Sequence, residues 1–228
     1  MSRLMRIDLS DPNLKYVIGR FCYKQVLMLN FASNMKDEKL ERVIERIDSV
    51  NLEDPNLVCI DNKNVSKEWL YGLRMSEMLE GYDQNASDIL QIAIRGQHIR
   101  RWHIPRKDFP MNRPGYLKWR TKLKLYHGEL LTEIMRDEGY DQGQIDEVVK
   151  IVTKKKLKTD ADCQALEDVA CLVFLKYHFH DFAREHSEDK IIDIVQKTWA
   201  KMTEKGHEMA LNLNYESADL KLIQKALS

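Results

Sequence analysis

The chain has 228 residues with 36 Lys or Arg and 36 Asp or Glu, so its net charge is zero and a basic footprint over the whole protein is excluded. Apolar residues make up 43% of the chain, which excludes general disorder, and no apolar run approaches the roughly 18 residues of a membrane span. The four cysteines form no C-x-x-C pair and the N-terminus lacks a signal-peptide pattern, so we expect a cytoplasmic protein with no membrane partner.

The positions of the prolines indicate a helical chain. There are five prolines and none follows residue 114, and a stretch of more than a hundred residues without proline favours long helices. Residues 1–39 are less regular in pattern, so we interpret them as an N-terminal appendage. We predict that residues 40–228 form a single all-α domain, a compact multi-helix bundle.

The hydrophobic periodicity supports helices along the whole of this region. Apolar residues recur at helical spacing from Leu40 to Ile47 and from Trp69 to Leu79. No stretch alternates like a strand, and three prolines between 105 and 114 predict one ordered loop. The other helices are predicted to begin near Asn85, Pro114, Asp141, Thr159, Ser187 and Ser217, with stops at Gly139 and near Gly206.

Positive charge is concentrated in one segment. Residues 95–124 contain ten Lys or Arg and a single acid, Asp108, which gives this segment a charge of +9. Such a segment attracts anions, and phosphate is the commonest of them. Trp102 and Trp119 could stack on a base, so RNA is a further ligand to consider. The alternative is a solvated basic face balanced by acids elsewhere in the fold.

One predicted helix combines a fully apolar run with two carboxylates. The run from Val169 to Leu175 is apolar on every face, which is typical of a buried central helix. Glu167 and Asp168 come directly before it. Buried carboxylates are costly unless they are paired, hydrogen-bonded or bound to metal, so a structural and a functional role both stay open.

Two histidines are predicted to point toward the core. His98 follows Leu90 and Ile94 at four-residue intervals, and His127 lies between Leu123 and Leu130 on the apolar side of its helix. Two inward histidines and an inward acid on a third helix form a plausible metal-ligand set. The sequence therefore suggests a cluster of His98, His127 and Asp168 for a divalent ion such as iron, manganese or zinc.

Taken in order, these segments resemble the HD-domain superfamily of helical metal-dependent phosphohydrolases. Residues 71–75 stand where that family has its first histidine helix, and residues 94–99 stand where it has the His-Asp dyad. Residues 127–139 and 166–172 are similar to its later helices. Tyr71 takes the first histidine position and Gln97-His98 replaces the dyad, so only His127 and Asp168 match ligand positions directly.

The resemblance implies an HD-like hydrolase of a phosphorylated or nucleotide substrate, with a metal-dependent oxygenase as a variant. His98, His127 and Asp168 would hold the metal, and Glu167 and Gln97 would take part in catalysis. The phosphate of a small anionic ligand would be held by Arg74, Arg95 and Arg101. The alternative is a non-catalytic module whose 95–124 segment holds an anionic ligand, RNA or an acidic partner.

From about residue 40 onward the chain also resembles an uncharacterised family of bacterial and fungal proteins. The stretches that carry this likeness include QHIRRWHIPR, GYLKWRTKLKLYH and LEDVACLVFL. Some members of that family are labelled glutamyl-tRNA synthetase, but this chain has no nucleotide-binding sheet pattern and no synthetase signature. The closer resemblance therefore supports the fold and gives no activity.

Overall fold

The structure is a computed structural model that describes residues 35–155, 157 and 159–228, with side chains from residue 38. The predicted appendage, residues 1–39, lies almost entirely outside the described residues. Two four-residue strands, β1 (Leu57–Ile60) and β2 (Lys63–Ser66), pair antiparallel. The helices in the described part are α1 (Met35–Leu52), α2 (Lys67–Tyr82), α3 (Asp88–Gly96), α4 (Arg113–Asp137), α5 (Gln142–Thr153), α6 (Ala161–Tyr177), α7 (Phe179–Glu185), α8 (Glu188–Trp199), α9 (Glu204–Leu211) and α10 (Ser217–Leu227).

The mostly α-helical fold confirms the predicted class, with one small exception in the hairpin β1–β2. Asp61 and Asn62 both have positive φ values, of 48° and 63°, which suit the tight turn between two antiparallel strands. Strands of four residues are too short to show clear alternation in the sequence. This hairpin was therefore not predicted.

A break between α8 and α9 was also not predicted. The sequence suggested one helix from Ser187 to about Gly206, whereas α8 ends at Trp199 and α9 begins at Glu204. The side chain of Thr203 caps α9 by accepting from the Gly206 N–H, and its own N–H donates to Asp168 of α6. The break is thus fixed by a tertiary contact with the central helix, which local pattern does not reveal.

Helix α6 is the centre of the core, as predicted from its apolar run. Val169, Leu172 and Val173 have no exposed surface. Helix α3 lies close to α4 because Gly96 has no side chain: a Cβ there would come within 2.5 Å of Leu131 Cδ2. This close approach brings the end of α3 against the middle of α4, where the candidate site lies. No helix in the described part of the chain has both the length and the apolarity required to cross a membrane.

The predicted loop between α3 and α4 is built from two short 3-10 turns, Arg101–His103 and Arg106–Asp108. Trp119 of α4 packs beneath it and donates its indole N–H to the Ile104 carbonyl at 2.8 Å. The loop is thereby attached to the first half of α4.

Candidate functional site

A pair of histidines lies between the end of α3 and the middle of α4. His127 is 2% exposed, and its Nδ1 lies 2.7 Å from the Ile99 carbonyl oxygen. A carbonyl only accepts, so Nδ1 carries the proton and Nε2 is bare. Nε2 is buried and has no hydrogen-bond partner among the described residues. Burial, followed by the neighbouring His98, lowers the pKa of His127 to about 3, so the ring is neutral at physiological pH.

His98 lies between Tyr71 and His127, stacked on the Tyr71 ring and tilted against the His127 ring. Its ring centroid is 4.1 Å from that of Tyr71, at an interplanar angle of 14°, and 6.2 Å from that of His127. Arg101 Nη1 lies 3.0 Å from His98 Nε2, and Glu68 Oε2 lies 3.2 Å from Nδ1. Because a guanidinium only donates, Nε2 accepts and Nδ1 carries the proton. Burial, together with the charge of Arg101, holds the pKa of His98 well below its usual value.

The backbone that presents Arg101 is held from two sides. His127 binds the Ile99 carbonyl, and the buried Asn51 side chain accepts from the Arg100 N–H at 2.9 Å. Arg100 has a φ of 52°, a conformation that is unusual for a residue with a long side chain. Because strained backbone of this kind tends to occur at functional sites, this arrangement is consistent with a role for Arg101.

Arg101 is itself surrounded by protein groups. Its guanidinium carbon lies 4.8 Å from the centre of the Trp119 ring, and its Nε lies 3.9 Å from Glu68 Oε1. Glu68 is 7% exposed, and burial raises its pKa although Arg101 acts in the opposite direction. Sequence reasoning missed Glu68 because an acid in the first turn of a helix is common. Its position three residues before Tyr71, on the same helix face, was the available signal.

Five cations from four parts of the fold lie near His98 or near one another, and we call them the basic cluster. They lie close enough to influence the ionisation of one another or of His98. Lys124 is the clearest case, because burial and then the charges of Lys154, Arg120 and Lys201 lower its pKa. The members of the basic cluster are Arg101, Arg120, Lys124, Lys154 and Lys201.

Lys154 enters the cluster through an unusual helix end. It caps α5 in the left-handed conformation, with a φ of 57°, where glycine is the common residue. Its ammonium group forms a largely buried ion pair with Glu167, whose other oxygen lies 3.8 Å from Lys201. Burial disfavours the charge of Glu167, but Lys154, Lys201 and Arg120 outweigh it and lower the pKa of this carboxyl.

The balance of charge at the site is positive. The five cations of the basic cluster face two carboxylates, Glu68 and Glu167, while both histidines are neutral. Three positive charges are therefore in excess in a region where Lys154, Glu68 and Glu167 are largely buried and the Lys201 side chain is 48% exposed. Such a region favours an anion with several oxygen atoms.

Three predicted site residues form contacts away from the histidine pair. Asp168 has no exposed surface and accepts from Tyr82, Gln164 and Thr203. Arg95 forms a two-bond ion pair with Asp48, at 2.7 and 2.5 Å. Arg74 lies over the Tyr177 ring at 4.4 Å. The structure thus brings together His98, His127, Gln97 and Arg101, places Glu167 in the adjoining basic cluster, and gives Asp168, Arg74 and Arg95 contacts that hold helices together.

The donor atoms at the histidine pair do not match the predicted metal centre as they stand. His127 Nε2 is bare, but the lone pair of His98 Nε2 is directed at Arg101. The amide nitrogen of Gln97 donates to the Tyr71 hydroxyl at 3.4 Å, and its amide oxygen is buried with no partner among the described residues. Among residues 35–155, 157 and 159–228, no three His, Cys, Asp or Glu side chains are grouped to hold a metal ion.

The fold and site define a mostly helical domain with a buried histidine pair bordered by a basic cluster. A family model described as a domain of unknown function, DUF4202, matches residues 41–223, and the chain belongs to this family. The search of curated proteins and the search of solved structures found no match to the chain.

Proposed function

We propose that the protein binds a phosphorylated small molecule, with the phosphate held by the basic cluster beside His98 and His127. The observation that carries this proposal is the excess of positive charge at a site where the histidines are neutral. Lys124 forms no ion pair within the described residues, so it can bind a ligand without breaking an existing bond. The buried Nε2 of His127 adds an acceptor for a hydroxyl of the ligand.

The order of the site residues along the chain also supports the proposal that this is a divergent HD-like domain. In the resembled family, the metal ligands come from four segments in the order found here. Tyr71 of α2 stacks on His98 after α3, and His98 lies beside His127 of α4. Glu167 of α6 is within electrostatic reach of Tyr71. In this proposal Arg101 and the lysines occupy the region that a metal would occupy in a catalytic relative, so the phosphate is held by cations of the chain.

The test is a calorimetric titration of inorganic phosphate and of a mononucleotide into wild type and Lys124→Met. Methionine keeps the length of the stem and removes the charge, and it leaves no buried acid without a partner. A hydrogen bond to a charged group contributes about 1.5–3 kcal/mol, so we expect affinity to fall roughly tenfold or more.

The matched control is Arg136→Met, which changes the charge of the same helix by the same amount. Arg136 is exposed and lies outside the basic cluster, so its substitution should leave phosphate affinity unchanged. Equal losses in both variants would show that only the net charge of α4 matters. Absence of saturable phosphate binding by wild type would refute the proposal.

A metal-dependent hydrolase is the second candidate, and the bare Nε2 of His127 favours it. A neutral histidine whose Nδ1 is bound to a carbonyl is the usual form of a metal-ligating histidine. Iron, manganese or zinc bound there would polarise a phosphoryl oxygen or activate a water. His98 could join as a ligand only if Arg101 left its Nε2, and no further step is derived for this candidate.

Elemental analysis of purified protein, before and after loading with each metal, tests this candidate. Stoichiometric metal in wild type that is lost in His127→Asn would support it. Asparagine keeps a donor for the Ile99 carbonyl and removes the ligand nitrogen, so a change in fold does not account for the loss. Metal content that is absent, or equal in the two proteins, would contradict it.

A further inference from the structure

A second basic surface lies outside the basic cluster, on the side of α4 that faces the 3-10 loop. Lys118 and Lys122 are four residues apart and share one side of the helix, and Lys107 is exposed on the second 3-10 turn. None of these three lysines forms an ion pair within the part of the chain that the structure describes. Their charges are therefore available to a partner, and none of them belongs to the proposed phosphate site.

Aromatic rings line a shallow cleft that Lys122 borders. The His103 and Tyr126 rings stack with centroids 5.3 Å apart, and Lys122 Nζ lies 5.9 Å from the centre of the Phe109 ring. Asp108 and Ile104 complete the lining. His103 is exposed and the other two rings are half-buried, so a flat group can reach them. We call this the aromatic cleft.

We infer that the aromatic cleft and Lys107, Lys118 and Lys122 bind single-stranded RNA. Rings flanked by cations recognise unpaired nucleotides, because bases stack on the rings while lysines neutralise the phosphates. The carboxylate of Asp108 in the cleft would repel a phosphate but accepts hydrogen bonds from a base N–H or from a 2′-hydroxyl. The 2′-hydroxyl is the group that DNA lacks, and this points to RNA.

The inference stands apart from the proposed function, because the two sites share no residue. It also explains why the positive charge of segment 95–124 is divided between two faces of α4. Arg120 and Lys124 belong to the basic cluster, whereas Lys122 borders the aromatic cleft and Lys118 lies one turn before it on the same side of the helix. The two sites can therefore be removed separately.

The experiment measures fluorescence anisotropy of a labelled 15-residue oligouridylate with the full chain at 50 and 200 mM salt. About three phosphate contacts predict a slope near −2 in log K against log salt, which is roughly a fifteen-fold loss over this range. The variant Lys118→Met/Lys122→Met should bind about tenfold more weakly at 50 mM salt and reduce the slope to about −0.7. Phe109→Leu should also bind roughly tenfold more weakly, through the lost stacking.

The matched control is Lys190→Met/Lys221→Met, which removes two exposed lysines from α8 and α10. This control should bind RNA like wild type, and so should Lys124→Met, even if its phosphate binding is lost. No RNA binding at 50 mM salt, or equal binding by Lys118→Met/Lys122→Met and the control, would overturn the inference. Equal affinity for oligothymidylate would overturn the choice of RNA.

Two exposed leucines on the same helix, Leu117 and Leu125, suggest one further outcome of the test. They are 54% and 51% exposed and would suit an anionic lipid surface better than RNA. The assignment to RNA would therefore be overturned if the protein bound vesicles of phosphatidylserine and phosphatidylcholine, measured by co-sedimentation, more tightly than it bound the oligouridylate. We expect no retention on these vesicles under the conditions where the oligouridylate binds.

Discussion

The buried His127 should make the stability of the protein depend on pH in a defined window. In the unfolded chain a histidine takes up its proton near pH 6.5, whereas the folded state resists it until about pH 3. Between these values the unfolded state binds more protons, so stability rises with pH and is lost as pH falls below 6.5. At pH 5.0, about 1.5 units below 6.5, the loss from this one residue is roughly 2 kcal/mol.

The assay compares urea unfolding of wild type and His127→Asn at pH 7.5 and pH 5.0. Asparagine can still donate to the Ile99 carbonyl but does not titrate, so this variant isolates the proton. We expect the fall in unfolding free energy between the two pH values to be about 2 kcal/mol smaller in the variant. Equal falls in the two proteins would show that His127 is accessible to protons in the folded state and refute the reasoning.

Two further predictions concern the helices that build the site. Gly96→Ala should destabilise the protein by roughly 1–3 kcal/mol in urea unfolding, because the new Cβ would lie 2.5 Å from Leu131. Gly81→Ala on the exposed side of α2 should instead gain about 0.5–1 kcal/mol, and loss of stability there would contradict the packing argument. Asp168→Ala should cost roughly 3 kcal/mol by leaving Tyr82 and Thr203 without their acceptor, with little effect on phosphate affinity measured calorimetrically. An Asp168→Ala protein of normal stability that no longer binds phosphate would contradict the structural role given to this residue.

The sequence predicted the class of fold and part of the site because these depend on local pattern. Helical periodicity predicted a buried α6 and placed His127 on the core-facing side of α4, whereas His98 lies beyond the end of α3 at Gly96, so its spacing from Ile94 is not that of a helix face. The charge of segment 95–124 predicted Arg101 as a candidate to bind phosphate. Each of these signals lies within one helix or one short segment.

What the sequence did not reveal depends on contacts between distant segments. Glu167 and Asp168 are adjacent, yet Glu167 faces Lys154 while Asp168 faces Thr203 across the break between α8 and α9. Periodicity could not decide between them, because both are buried on a helix that is surrounded by protein. The role of Lys154 follows from the left-handed end of α5, where glycine would have been the expected residue.

The most direct test of the central claim is a long-range ¹H–¹⁵N NMR spectrum of the imidazole rings during a phosphate titration. In the free protein we expect His98 and His127 each to show a protonated Nδ1 and a bare Nε2 at pH 7. Saturating phosphate should shift the signals of His98 and His127, while His186, at the end of α7, stays unchanged. The account is contradicted if phosphate leaves both rings unperturbed, or if either ring is doubly protonated at pH 7 before the ligand is added.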